Sequence, residues 1–120
     1  MATTYKVLAQ TGSSGSTGNG SATLTATTNT NLYTVPASTS AVVSTIVVSN
    51  QTAAAITYRI AVRPAGMTIA AQNYIAYDVS LGANDSVSLT LGITLATTDI
   101  ITVYCSTASA SFTVFGSEIA

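Results

Sequence analysis

The sequence contains no histidine and no tryptophan, and it has one cysteine and two prolines in 120 residues. Without histidine, the chain lacks the most common general base of enzymes and the most common ligand of transition metals. The single Cys105 excludes a disulfide within the chain, and its strand-like surroundings predict a small buried side chain. Serine and threonine hydroxyls are abundant but have no base to activate them. We therefore expect neither catalysis nor a cofactor.

Charged residues are also scarce. They make up 6 % of the chain, against roughly 25 % in an average domain. A net charge of −1 without a cluster of Lys and Arg argues against nucleic-acid binding. No apolar run reaches the roughly 18 residues of a membrane helix, and the chain start lacks a signal-peptide pattern. A surface of Thr, Ser and Ala suits burial against neighbours, so we expect a homo-oligomer.

Short strand patterns recur along the whole chain. Residues 41–49 are rich in β-branched side chains and apolar on both alternating faces, which predicts a central strand covered on both sides. Further strands are predicted at residues 3–10, 22–28, 32–35, 55–63, 72–79, 86–91, 100–105 and 110–115, with a bend at Gly92 before residues 93–95. Many short strands without a helical pattern predict an all-β fold. We expect one β-sandwich of about eight strands, a jelly-roll or an immunoglobulin-like Greek key, with an N-terminal arm.

The N-terminal region has a different composition from the rest of the chain. Residues 11–21 consist only of Thr, Gly, Ser and Asn, which predicts a flexible linker. We divide the chain into an arm with its linker, residues 1–21, and a sandwich domain, residues 22–120. A linker reach of roughly 17–20 Å allows the arm to add as a strand to a neighbouring subunit. The alternative is a local edge strand of its own domain.

The few charged side chains suggest one specific contact. Arg59 and Arg63 lie on the polar face of one predicted strand, and Asp78 lies on that of the next. If these strands pair, either arginine can meet Asp78 in a cross-strand ion pair. Such a pair is either a solvated surface contact of little energetic value or part of a subunit interface. A calcium site at Asp78 and Asp85 would need an Asp-rich loop, and the sequence has none.

The tyrosines divide into two groups by their strand neighbours. Tyr58 and Tyr77 alternate with Ile and Val, which predicts positions in the core. Tyr33, Tyr74 and Tyr104 alternate with polar residues, which predicts a contact surface. Exposed aromatic side chains mark a binding surface where they cluster. The predicted subunit-interface residues are Tyr5, Val7, Leu8, Arg59, Arg63, Tyr74 and Asp78.

Several segments carry a family resemblance. They read Leu32-Tyr33-Thr34-Val35-Pro36-Ala37, Ala41-Val42-Val43-Ser44-Thr45-Ile46-Val47-Val48-Ser49-Asn50, Tyr58-Arg59-Ile60-Ala61-Val62-Arg63-Pro64-Ala65-Gly66, Tyr74-Ile75-Ala76-Tyr77-Asp78 and Phe115-Gly116-Ser117-Glu118-Ile119. Over roughly residues 32–119, the chain resembles small virion structural proteins of tailed bacteriophages, especially cyanophages. The resemblance implies a place in the virion and supplies no catalytic site.

Two functions are consistent with this sequence. The first is a capsid decoration or cement protein on the virion surface. It would form a homo-oligomer, with a trimer favoured, and bind the major capsid protein or other virion proteins. The second is a receptor- or carbohydrate-binding β-module of a tail fibre or neck, which requires exposed tyrosines that cluster. An enzyme is not expected.

Overall fold

The computed structural model describes residues 3–120, which form nine β-strands and two short 3₁₀ turns. The strands are β1 (Thr3–Gly12), β2 (Gly15–Gly18), β3 (Thr30–Thr34), β4 (Ser40–Asn50), β5 (Ile56–Arg63), β6 (Tyr74–Leu81), β7 (Ser86–Leu95), β8 (Ile100–Cys105) and β9 (Ala110–Ile119). The 3₁₀ turns cover Pro64–Gly66 and Ala71–Asn73. No helix in this part of the chain is long and apolar enough to cross a membrane. Met1 and Ala2 of the predicted arm lie outside the described residues.

The strands form two antiparallel sheets that face each other as a β-sandwich, which confirms the predicted fold class. Sheet A has the order β2-β1-β9-β4-β7, and sheet B has the order β3-β8-β5-β6. Without the short β2, eight strands remain, and they pair first with last, second with seventh, third with sixth and fourth with fifth. This pairing is a jelly-roll, one of the two predicted topologies.

The core lies between the two sheets and is built by side chains that alternate inward. Ile101, Val103 and Cys105 of β8 are at most 1 % exposed, as their alternation predicts. Phe112 of β9 is fully buried and packs edge-on against Tyr58 of β5, with 6.4 Å between ring centres. This contact joins sheet A to sheet B across the core.

Strand β4 is present, but only one of its faces is covered. The register of β4 shifts after Val43 against both neighbouring strands, which marks a β-bulge. The bulge moves the alternation by one residue, so Val43 before it and Ile46 and Val48 after it all reach the core. Val42 is left 37 % exposed on the outer face. The prediction of a strand covered on both sides is therefore wrong.

The N-terminal segment belongs to sheet A of its own chain. Strand β1 pairs with β9 through eight residue pairs, so the segment is a strand of its own domain, as the alternative prediction had it. It is not an edge strand, however, because β2 forms the edge of the sheet beside it. The predicted flexible linker is wrong, because β2 pairs with β1 as a hairpin. Gly18 has φ of +102°, and a Cβ there would lie 2.3 Å from the Leu8 carbonyl oxygen. Glycine therefore allows close strand contact here rather than flexibility.

The predicted strand at residues 22–28 is absent, and β9 is longer than predicted. Residues 22–28 form loop and turn, although Leu24 is buried and its N–H donates to the Gly12 carbonyl oxygen. Gly116 does not end β9, which continues to Ile119. A Cβ at Gly116 would lie 2.1 Å from the Val42 carbonyl oxygen, so the glycine lets β4 and β9 approach.

Candidate functional site

The side of sheet A that faces away from the core is called outer face A. Residues directly opposite each other in antiparallel strands share a face, so the strand pairing identifies its members. Its three rows across β1, β9, β4 and β7 are Tyr5-Ser117-Val42-Thr94, Val7-Phe115-Thr45-Thr90 and Gln10-Thr113-Val47-Ser88. Within residues 3–120, these rows contain no charged side chain. Outer face A is therefore an uncharged surface of small hydroxyl and apolar groups.

The exposed large apolar side chains of these rows all lie in the first two rows. Tyr5 is 83 % exposed, and Val7, Val42 and Phe115 are also exposed. A shallow groove lies among Tyr5, Val42, Phe115 and Ser117. Lys6 also lines this groove, and its ammonium lies 2.8 Å from Glu118 Oε1. Contiguous exposed apolar groups on a folded domain indicate a contact surface.

A second surface lies on the outer side of sheet B and is called the tyrosine–arginine cluster. It consists of Arg59, Tyr74, Tyr77, Asp78 and Tyr104. The guanidinium carbon of Arg59 lies 4.2 Å from the ring centres of both Tyr77 and Tyr104, a favourable cation–π geometry. Tyr74 meets Tyr77 edge-on at 4.9 Å between ring centres.

The predicted ion pair between Arg59 and Asp78 is confirmed. Arg59 Nε donates to Asp78 Oδ1 at 2.6 Å, and Nη2 donates to Oδ2 at 3.3 Å. The hydrogen bond with Asp78 raises the pKa of Arg59, and partial desolvation opposes this change. Asp78 has φ of +50° at a register shift of β6, so the chain bends there and brings its carboxylate to Arg59.

Arg63 takes a different role from Arg59. Its Nη1 donates to Asn31 Oδ1 and Thr102 Oγ1 at 3.1 and 3.2 Å, and its Nε donates to the Met67 carbonyl oxygen at 2.8 Å. These bonds hold the 3₁₀ turn after β5 against β3 and β8. Within residues 3–120, Arg63 forms no ion pair with Asp78.

A polar link joins the two sheets at one end of the sandwich. Lys6 Nζ lies 2.8 Å from Glu118 Oε1, and the hydroxyl of the fully buried Tyr33 donates to Glu118 Oε2. Burial opposes the negative charge of Glu118, but the hydrogen bonds from Lys6 and Tyr33 outweigh it and lower the pKa. Burial and the hydrogen bond to Glu118 raise the pKa of Tyr33.

The predicted interface residues divide between the two surfaces. Tyr5 and Val7 lie on outer face A, and Arg59, Tyr74 and Asp78 lie in the tyrosine–arginine cluster. Leu8 is 2 % exposed, because a bulge in β1 turns it into the core. In the folded chain Leu8 offers no surface to a partner, which corrects that assignment. The subunit-contact role of the other six residues stays a prediction.

Two tyrosines occupy places opposite to those predicted. Tyr33 is fully buried, because its hydroxyl has a partner in Glu118. Tyr77 is 58 % exposed and not in the core, because β6 is an edge strand with a shifted register. The sequence also missed Val42 and Phe115 as surface residues. For Val42, the available signal was that β4 contains no charged residue.

Among residues 3–120, no three His, Cys, Asp or Glu side chains come together as a metal site. Comparison with known proteins gave no matching family model, no matching curated protein and no matching solved structure.

Proposed function

We propose that this protein is a structural component of a phage particle that decorates the capsid and cements its subunits through outer face A. The observation that carries the proposal is the lack of charge across the three rows of that face. The jelly-roll supports it by analogy, because viral capsid domains use this fold, although a fold alone does not define a function.

The chemistry of outer face A suits burial against another protein. Burying a charge is costly unless the partner supplies its counter-charge, whereas hydroxyls can pair with backbone groups and apolar groups gain by leaving water. Each Å² of apolar surface buried contributes about 25 cal/mol. Charged side chains are depleted at the centres of protein interfaces. Outer face A therefore binds the major capsid protein with little desolvation cost.

Self-association is the second part of the proposal. Strand β7 is an edge of sheet A, ten residues long, and contains no charged residue and no proline. Charges and proline are the usual devices that keep sheet edges apart. We place a contact with another copy at this edge, in a homo-oligomer with a trimer favoured. Several linked subunits then multiply the affinity for the shell. Light scattering that gives a monomer mass at high protein concentration would contradict this part.

The docking experiment compares two lysine variants on opposite sheets. Val42 of outer face A is 37 % exposed, and Val79 of β6 is 39 % exposed. Particles are assembled with wild-type protein, Val42→Lys or Val79→Lys, and the copies per particle are measured by quantitative mass spectrometry. We expect Val42→Lys to lose most of its occupancy and Val79→Lys to retain it. Equal occupancy of the two variants, or no protein in wild-type particles, would contradict docking through outer face A.

A second candidate function is a receptor- or carbohydrate-binding module of a tail fibre or neck. The specific observation in its favour is the tyrosine–arginine cluster, since the exposed Tyr77 lies against Tyr74 and Arg59. Antibody labelling of particles in the electron microscope separates the two candidates. Label over the head supports the decoration protein, and label on the tail or neck supports the binding module.

A further inference from the structure

Tyr77 is an exposed ring that its neighbours hold in place. It is 58 % exposed, yet Arg59 covers it at 4.2 Å and Tyr74 meets it at 4.9 Å with ring planes 84° apart. Arg59 in turn is fixed by Tyr104 and by Asp78. A ring that is already ordered loses little conformational freedom when a ligand stacks on it. Tyr77 therefore has the properties of a preformed binding platform.

The charges of the cluster limit what this platform can bind. Asp78 takes two hydrogen bonds from Arg59, so the positive and negative charges cancel locally. Because the two opposite charges are only 2.6 Å apart, a charged ligand of either sign gains little net Coulomb attraction beside them. The cluster therefore favours an uncharged ligand.

A groove beside Tyr77 gives that ligand room. The groove is lined by Tyr74 and Tyr77 together with Ile69, Ala70 and Ala71. The groove combines apolar walls with tyrosine hydroxyls, which both donate and accept hydrogen bonds. Binding sites for small molecules are typically apolar clefts with a few polar groups.

We propose that Tyr77, Tyr74 and the adjoining groove form a binding site for a neutral saccharide. The C–H groups on one face of a sugar ring carry partial positive charge and stack on the electron-rich face of an aromatic ring. The sugar hydroxyls then bond to the tyrosine hydroxyls and to the exposed carboxylate of Asp78. This inference deepens the second candidate function and rests on it. It does not depend on outer face A, which belongs to the other sheet.

The test uses an array that carries neutral oligosaccharides and acidic ones with sialic or uronic acids. We expect the wild-type protein to bind one or more neutral glycans and to bind acidic glycans more weakly. Titration of the best neutral glycan then compares Tyr77→Ala with Tyr5→Ala, which removes an exposed tyrosine from sheet A. Tyr77→Ala is expected to weaken binding roughly tenfold or more, and Tyr5→Ala to leave it unchanged.

Three results would overturn the saccharide site. The first is that the wild type binds no neutral glycan, and the second is that it prefers acidic glycans. The third is that wild type and Tyr77→Ala bind the neutral glycan with equal affinity. Circular dichroism of each variant checks that it is folded. The same variants on particles keep the two proposals apart, because Tyr77→Ala is expected to retain full occupancy. Loss of glycan binding with normal occupancy supports separate surfaces.

Discussion

The hydrogen bond between Tyr33 and Glu118 links sheet B to sheet A, and Tyr33→Phe removes only its hydroxyl. The ring stays fully buried, so the change creates almost no cavity. A hydrogen bond to a charged group contributes about 1.5–3 kcal/mol to stability. We expect Tyr33→Phe to lower the free energy of unfolding by about 2 kcal/mol at pH 7. Lys6→Met is expected to cost less than about 1 kcal/mol, because the Lys6 side chain is 45 % exposed.

The dependence on pH gives a sharper form of this prediction. The pKa of Glu118 is lower in the folded protein than in the unfolded chain. Its stabilising contribution is therefore complete above the unfolded pKa of about 4.3 and is lost as the pH falls through the folded value. The difference in stability between wild type and Glu118→Gln should be largest near pH 7 and shrink at more acidic pH. Asp85→Asn controls for the loss of one carboxylate.

At alkaline pH the folding stability falls as the pH rises, the reverse of its change in the acidic range. The pKa of Tyr33 is raised by folding, so its contribution is complete below about pH 10 and is lost as the pH rises further. Burial also raises the pKa of Tyr58, so Tyr33→Phe is expected to reduce the alkaline loss without removing it.

Urea unfolding followed by circular dichroism at several pH values measures all of these differences. A stability of Tyr33→Phe within about 0.5 kcal/mol of wild type at pH 7 would refute the reasoning, since it falls below the range for such a bond. For each variant, the stability difference from wild type is followed from pH 7 to acidic pH. If it changes by the same amount for Glu118→Gln and for Asp85→Asn, the acid dependence is not due to Glu118.

Three further predictions concern the fold. Gly116→Ala should lower the free energy of unfolding by about 1–3 kcal/mol or more, because its Cβ would overlap the Val42 carbonyl oxygen. Gly82→Ala is the control, since its Cβ would meet no atom within 4 Å. Equal urea midpoints for the two variants would contradict the close approach of β4 and β9. Phe112→Ala should cost about 3–5 kcal/mol in the same assay, and a loss below about 1 kcal/mol would show that the core tolerates the cavity. Cys105 is fully buried, and burial raises the pKa of its thiol. A thiol reagent should therefore react with Cys105 only when the protein unfolds. Fast reaction in native buffer would contradict the burial of Cys105 in the core.

The sequence predicts the strands well where side chains alternate without interruption. Strand β8 matches its predicted bounds, and the inward positions of β8 and of Phe112 and Val114 in β9 are confirmed. Period-two alternation is sufficient here because every second residue enters one continuous core. The all-β sandwich follows from the same signal.

The bulges explain most of what the sequence could not predict. Strands β1, β4 and β6 each shift register, and each shift moves the following side chains to the other face. Leu8 and Tyr77 were misassigned for this reason. Tyr33 was misassigned because its partner Glu118 is 85 residues away and is brought close only by the fold. The glycine-rich hairpin was read as a linker because composition does not distinguish flexibility from close packing.

The central claim is that outer face A contacts the particle, and footprinting of the bound protein tests it most directly. Hydroxyl radicals modify exposed tyrosines, and the two sheets offer a matched pair in Tyr5 and Tyr77, which are 83 % and 58 % exposed. Mass spectrometry compares their modification in free protein and in protein bound to particles. We expect strong protection of Tyr5 on binding and little change at Tyr77. Protection of Tyr77 with Tyr5 still modified would contradict docking through outer face A.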